Sequence, residues 1–259
     1  MRTPLVVANW KMHGTLQEAR SLASAVRDGL RRVTDVEVVL CPPFTALGLV
    51  AELVRGSQIG LGGQNCHWEA SGAFTGEVSP AMLREMDCRL VVLGHSERRH
   101  QLGESDEMIN RKVHAALGHG LTPLLCVGET EEERRQGLTF HVVEGQLRNG
   151  LSGVTPDAIS RCVLAYEPIW AIGTGVNATP AQAVEVHGYL RGLLSELASK
   201  EVAQSARILY GGSVKLDNVA SLVHEVEVDG TLVGGASLQP QAFVAIVKKS
   251  AATGAPGKE

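Results

Sequence analysis

Apolar and polar positions along this chain alternate between two periods. Continuous apolar runs fall near residues 5–11, 36–41, 58–64, 89–93, 121–127, 161–167, 207–211 and 229–234. Short runs without polar alternation predict strands covered on both faces. Each is followed by a segment of helical period. After the first, Ala19, Leu22, Ala23 and Val26 share one face while Arg20, Arg27 and Asp28 turn away. Thr130 followed by Glu133 predicts a capping box opening the fifth helix. Thr179-Pro180 predicts a cap and a first-turn proline opening the sixth. Eight strand–helix units with no linker between them predict a single closed (β/α)8 barrel, with a parallel eight-stranded sheet inside a ring of helices. The alternative is an open doubly wound sheet. The barrel domain is expected over residues 1–250, and the small, polar tail 251–259 is expected to fray.

Composition narrows the classes of function. An apolar share of 44% over 259 residues supplies a full core. A net charge of −4 argues against nucleic acid or an anionic membrane as the partner. No apolar run approaches the length of a membrane span, and the run starting at Leu5 is too short for a signal peptide. Cys41, Cys66, Cys88, Cys126 and Cys162 are scattered, without a Cys-x-x-Cys pair. Reduced thiols in a cytoplasmic protein are the expectation. The cysteine spacing, and histidines without His-x-x-x-His spacing, give no metal site.

In such a barrel the chemistry belongs at the C-terminal ends of the strands. The sixth strand ends Ala165-Tyr166-Glu167-Pro168-Ile169-Trp170-Ala171-Ile172-Gly173-Thr174-Gly175. A carboxylate, a turn-fixing proline, a short apolar stretch and two glycines form the pattern of a rigid base hinged to a lid. The plain alternative is a solvated glutamate before a tight turn. The first strand ends Asn9-Trp10-Lys11, where alternation puts Asn9 and Lys11 on one side and Trp10 on the other. Lys11 is either solvated at the rim or poised over an anion. His95 follows the fourth strand just before a helical turn, whose N–H groups favour a neutral ring that could polarise a carbonyl. It could equally do no more than cap that turn. Glycine clusters at Gly173-Thr174-Gly175, Gly211-Gly212-Ser213 and Gly234-Gly235 allow several backbone N–H groups to converge on an anion, or simply make turns. Gly173-x-Gly175-x-x-Ala178 matches a dinucleotide fingerprint in form, but it lies in the sixth unit and ahead of the helix start.

Taken together, Asn9-Trp10-Lys11-Met12, Gly63-Gln64-Asn65, Gly94-His95-Ser96-Glu97-Arg98-Arg99, Ala165 through Gly175, Tyr210-Gly211-Gly212-Ser213-Val214 and Asp229 through Leu238 resemble the triosephosphate isomerase family. The motifs stand in order from the first strand to the last helix. This family is itself the standard illustration of a glutamate base paired with a neutral histidine. The resemblance implies interconversion of dihydroxyacetone phosphate and glyceraldehyde 3-phosphate, without cofactor or metal. It implies Glu167 as the base, His95 as the neutral electrophile, Lys11 as the cation at substrate and enediolate, and Asn9 as the group that positions Lys11. Backbone N–H groups of Gly173, Ser213, Gly234 and Gly235 would hold the phosphate. Pro168, Ile169, Trp170, Ala171, Ile172, Gly173, Thr174, Gly175, Val176, Asn177 and Ala178 would form the lid, gripped by Tyr210 and Ser213 when shut. Glu97 would be a buried support near Lys11 and His95, or a structural ion-pair partner. The loop through Phe74 and Thr75 would enter a partner subunit and make a homodimer.

The chain departs from the family at Val176-Asn177, where a basic residue and then a threonine are usual, at His13-Gly14, and at His67 through Ser71. Two rival readings remain. Another phosphate-binding barrel, such as an isomerase or synthase of amino-acid biosynthesis, would share the glycine clusters but does not call for Lys11, His95 and Glu167 together. A barrel that has lost activity and serves as a binding protein would not need all three.

Overall fold

The computed structural model describes residues 2–173 and 177–251. Eight strands pair in chain order: β1 (Leu5–Asn9), β2 (Glu37–Cys41), β3 (Ile59–Gly63), β4 (Cys88–Leu93), β5 (Thr122–Val127), β6 (Val163–Tyr166), β7 (Arg207–Tyr210) and β8 (Gly230–Val233). β8 pairs back onto β1 in parallel, with Leu5 opposite Gly230 and Val7 opposite Leu232. That closure excludes the open sheet.

Both faces of each strand are buried, which is why the strands read as unbroken apolar runs. Leu5, Val7, Val39, Cys41, Leu90, Val92, Leu124, Cys126, Val163, Ala165, Leu209 and Leu232 fill the barrel interior. Their neighbours of opposite parity, such as Val6, Ala8, Val38, Leu40, Val91 and Leu93, pack outward against the helices. One more step along the inward parity carries β1 to Asn9 and Lys11, β6 to Glu167, β7 to Gly211 and β8 to Gly234. Trp10 takes the outward parity and joins the core under the helices. The period of two thus delivers these groups to one mouth of the barrel.

The first helix, Leu16–Gly29, buries Ala19, Ala23 and Val26, and Thr15 with Glu18 forms a capping box at its start. Thr179 caps the helix Pro180–Leu197, with Pro180 in the first turn and Gln182 completing the box. The box at Thr130 and Glu133 is present but opens only the short helix Glu131–Arg135. The long helix of that unit, Thr139–Gly150, begins after Leu138 with no side-chain cap. The expected box is thus present, and Gly137, at φ +71, ends the short helix it opens before the chain re-enters a longer one. Among the described residues no helix is long and apolar enough to cross a membrane. The tail beyond Ala251 lies outside the described residues.

Candidate active site

Glu167 stands one residue beyond β6 and is 2% exposed. Its Oε2 accepts the backbone N–H of Ser96 at 2.8 Å, and its Oε1 lies 3.1 Å from His95 Nε2. Close backbone approach makes this placement possible. A Cβ on Gly211 would sit 2.8 Å from Glu167 Cγ. Behind the carboxylate, burial holds the Cys126 thiol well above its ordinary range, and the charge of Glu167 adds to that.

His95 is placed by a turn rather than by strand parity. Gly94 takes φ +69, a conformation that glycine adopts at no steric cost, and the chain turns directly into the short helix Ser96–Gln101. His95 does cap that helix. Its Nδ1 accepts the N–H of Glu97 at 3.2 Å. A nitrogen that accepts carries no proton, so the ring is neutral and its proton sits on Nε2, facing Glu167. The capping role and the electrophile role are one arrangement, because the cap sets the tautomer.

Lys11 follows β1 in a left-handed conformation, φ 52, which a lysine rarely adopts. Two side chains hold it there. Asn9 Oδ1 accepts the Lys11 N–H at 3.0 Å, and Gln64 Nε2 donates to the Lys11 carbonyl at 2.8 Å while also donating to the Cys41 carbonyl. Lys11 Nζ lies 2.6 Å from Glu97 Oε1. Burial alone would raise the Glu97 pKa, but the hydrogen bond from Lys11 and the positive charge of that ammonium bring it below the usual carboxylate value. The expectation of a buried Glu97 is corrected. It sits beside Lys11 and His95 as expected, yet its side chain is 39% exposed, because it lies on the outer turn of the helix that His95 caps.

Asn9, Lys11, His95 and Glu167 line a cavity of about 470 Å³ that also includes Gly173, Ser213, Gly234 and Gly235. Gly234 packs under Lys11, so that a Cβ there would lie 3.3 Å from Lys11 Cε. Gly234 precedes the short 3-10 turn Gly235–Leu238, and Ser237 Oγ donates to the Gly234 carbonyl at 2.7 Å. The Ser213 N–H donates to the Ala171 carbonyl at 3.1 Å, so in this structure it is given to the lid base rather than left open to the cavity. A second cavity of about 490 Å³ lies outside the barrel near the N-terminal ends of β2 and β3, lined by Arg27, Arg31 and Arg55. It holds no acid–base pair, and Arg27 and Arg31 are engaged with Asp28.

Of the lid, Pro168 through Gly173, Asn177 and Ala178 are described, and Thr174, Gly175 and Val176 lie outside the described residues. Ile169–Ala171 forms a single 3-10 turn. Its anchor is Glu129, a residue that the sequence pattern did not single out. Fully buried, Glu129 accepts from Trp170 Nε1 at 2.9 Å and from the Tyr166 hydroxyl at 3.0 Å, with Arg134 at 3.2 Å. The Arg134 guanidinium lies 4.5 Å from the Trp170 ring centroid. Tyr210 is buried, and burial pushes its phenol up to about 12 against an opposing pull from the backbone of Ala178. Glu129 and Gln64 share the signal that marked Lys11: a polar residue just past an apolar strand. The Ser96 amide carries no side-chain signal at all.

Phe74 and Thr75 lie away from this cavity on the exposed loop between β3 and β4. Phe74 is 42% exposed, and its ring packs 4.1 Å from that of His67.

A closed parallel barrel with a carboxylate–imidazole pair, a lysine and glycine-rich loops at its C-terminal mouth defines a (β/α)8-barrel enzyme. The family model described as Triosephosphate isomerase matches residues 4–250. Curated relatives named triosephosphate isomerase include those of Roseiflexus sp. (53% identical over 95% of this chain and 97% of the relative), Chloroflexus aurantiacus (52%, over 95% and 99%) and Carboxydothermus hydrogenoformans (52%, over 96% and 100%). The chain belongs to the triosephosphate isomerase family.

Proposed function

We propose that this chain is an intramolecular aldose–ketose isomerase that interconverts dihydroxyacetone phosphate and D-glyceraldehyde 3-phosphate, in glycolysis and gluconeogenesis. Glu167 takes the proton from the carbon beside the carbonyl. The electron pair moves onto the carbonyl oxygen to form an enediolate, a proton passes from the hydroxyl oxygen to the former carbonyl oxygen, and Glu167 returns its proton to the neighbouring carbon. His95 donates its Nε2 proton in a hydrogen bond to the oxygen where charge develops, and Lys11 adds a positive charge there. Asn9 keeps Lys11 in its left-handed turn. Glu167 gives up its bonds to Ser96 and His95 when substrate enters, and Ser213 releases Ala171 so that its N–H joins those of Gly173, Gly234 and Gly235 around the phosphate. The lid, Pro168 to Ala178, excludes water from the enediolate, which would otherwise lose phosphate. The observation that carries this reading is the geometry at His95, whose Nδ1 accepts the Glu97 N–H at 3.2 Å and whose Nε2 stands 3.1 Å from Glu167 Oε1.

A turnover assay with glyceraldehyde 3-phosphate tests it. Glu167→Gln is expected to keep its circular dichroism and its binding of inorganic phosphate while turnover falls by ~10²–10⁴-fold, the range of a lost general base. A folded Gln variant with normal turnover removes Glu167 from the mechanism.

The working unit is a single isomerase domain over residues 1–250, paired in a two-fold homodimer in the cytoplasm. Met12 (94% exposed), Phe74 and Met82 (51%) present apolar surface on the segments between β1 and β4, as an uncovered interface would. Light scattering reads the assembly directly.

A further inference from the structure

Lys215 lines the same cavity as the residues above, on the loop after β7, two positions beyond Ser213. Its backbone is held on both sides. Asn218 Oδ1 accepts the Lys215 N–H at 2.8 Å, and Asn218 Nδ2 donates to the Ser213 carbonyl at 2.9 Å. The Val219 N–H donates to the Lys215 carbonyl at 3.0 Å. One asparagine thus ties the lysine to the peptide that carries Ser213. The lysine side chain is exposed and enters no ion pair among the described residues.

The charges around the cavity give this lysine a task. Lys11 is already bound to Glu97 at 2.6 Å, and Glu167 adds a buried carboxylate. The chain as a whole carries −4. A phosphate dianion approaching this mouth meets a protein of its own sign and a lysine whose charge is largely answered. Backbone N–H groups act only at contact, so attraction before contact must come from an unpaired cation.

We infer that Lys215 is a further substrate-positioning residue: an unpaired ammonium at the glycine-loop end of the cavity that draws the phosphate into its backbone cradle. The inference rests on the reading of this cavity as the site of a phosphorylated triose. At a separation of about 7 Å through water, one charge acting on a dianion alters association by about five- to tenfold. Salt at about 1 M shortens the screening length to about 3 Å and removes the effect.

The experiment compares the parent, Lys215→Met and Lys215→Arg. It measures kcat and KM for glyceraldehyde 3-phosphate, and inhibition by inorganic phosphate, at low salt and at about 1 M potassium chloride. Phosphate-free glyceraldehyde serves as the second substrate. Lys215→Met is expected to lower kcat/KM about five- to tenfold at low salt, through KM, and to weaken phosphate inhibition alike. The gap closes at high salt, Lys215→Arg restores the parent values, and turnover of glyceraldehyde does not separate the three proteins. Parent-like kcat/KM in Lys215→Met overturns the inference. So does a loss that is the same at both salts, or one that extends to glyceraldehyde, since either marks a packing defect. If the parent itself fails to isomerise the triose phosphate, the functional reading falls instead. Binding of inorganic phosphate by calorimetry then still decides whether Lys215 serves an anion.

Discussion

Gly211→Ala tests whether the position of Glu167 is set by close packing at the barrel mouth. The new Cβ would lie 2.8 Å from Glu167 Cγ and 3.2 Å from the Tyr166 carbonyl oxygen. Ordinary contact between such carbons is about 3.5–4.0 Å, so the carboxylate must move by about 0.7 Å or more. It cannot move without cost. Its Oε2 is bonded to the Ser96 N–H at 2.8 Å, and the Gly211 N–H is itself bonded to the Tyr166 carbonyl at 2.7 Å, which keeps the two strand ends together. A displacement of that size stretches the Ser96 bond beyond the ~3.2 Å limit of a good hydrogen bond. Gly211 and Glu167 line the same cavity, so the Cβ presses on Glu167 also after it has released Ser96 for substrate; misplacing a reacting group by about 1 Å costs ~10²-fold in rate, so kcat is expected to fall by about 10- to 100-fold. Overpacking adds about 1–3 kcal/mol of destabilisation, which leaves the fold intact. The assay is steady-state kinetics beside a thermal melt. Gly145→Ala is the companion variant, because a Cβ there meets nothing within 4 Å. A folded Gly211→Ala enzyme with kcat within about twofold of the parent would refute the reasoning, since the predicted displacement alone costs more than that.

Three further outcomes are expected. Burial, opposed by a hydrogen bond with the Glu227 carbonyl, lowers the His187 pKa from 6.5 to about 4, so its contribution to stability is full above pH 6.5 and is lost as pH falls toward about 4. That gap is worth about 3 kcal/mol, and urea midpoints of the parent minus those of His187→Gln should shrink across that window; a difference independent of pH rules His187 out as the titrating group. Deleting Ile172 through Gly175 should spare the barrel but raise phosphate elimination relative to isomerisation, read as methylglyoxal, and an unchanged product ratio would show an ordinary loop. Thr75→Arg should dissociate the proposed dimer and collapse turnover together, measured by light scattering and assay on one sample, and a fully active monomer would show that the partner loop does not order the site.

Most of the barrel was legible in the chain because a strand buried on both faces must be apolar throughout, and helices between such strands must carry one apolar stripe. The same alternation made Asn9 and Lys11 legible, and a carboxylate before a proline and a glycine-closed run made Glu167 so. They stand on the inward parity at or just past the end of an apolar strand, and polar groups there need a reason. His95 was visible as a residue, but its role was open between a cap and an electrophile. Only the fold shows that Nδ1 takes the Glu97 N–H and leaves Nε2 for Glu167.

What the chain determined by itself is therefore the architecture, the order of its units and the residue types at the strand ends. The tertiary structure decided their partners. It joined Gln64 to the carbonyl of Lys11 across 53 positions and the Ser96 amide to Glu167 across 71. It made Glu129 the anchor of Trp170, left Glu97 half-exposed, and placed Lys215 on the lining of the cavity with no ion pair among the described residues. Local pattern records how deeply a position is buried, because burial acts on each residue through its own solvation. It does not record which distant group meets it, because that depends on the closure of the barrel, which brings the ends of eight separate strands to one mouth.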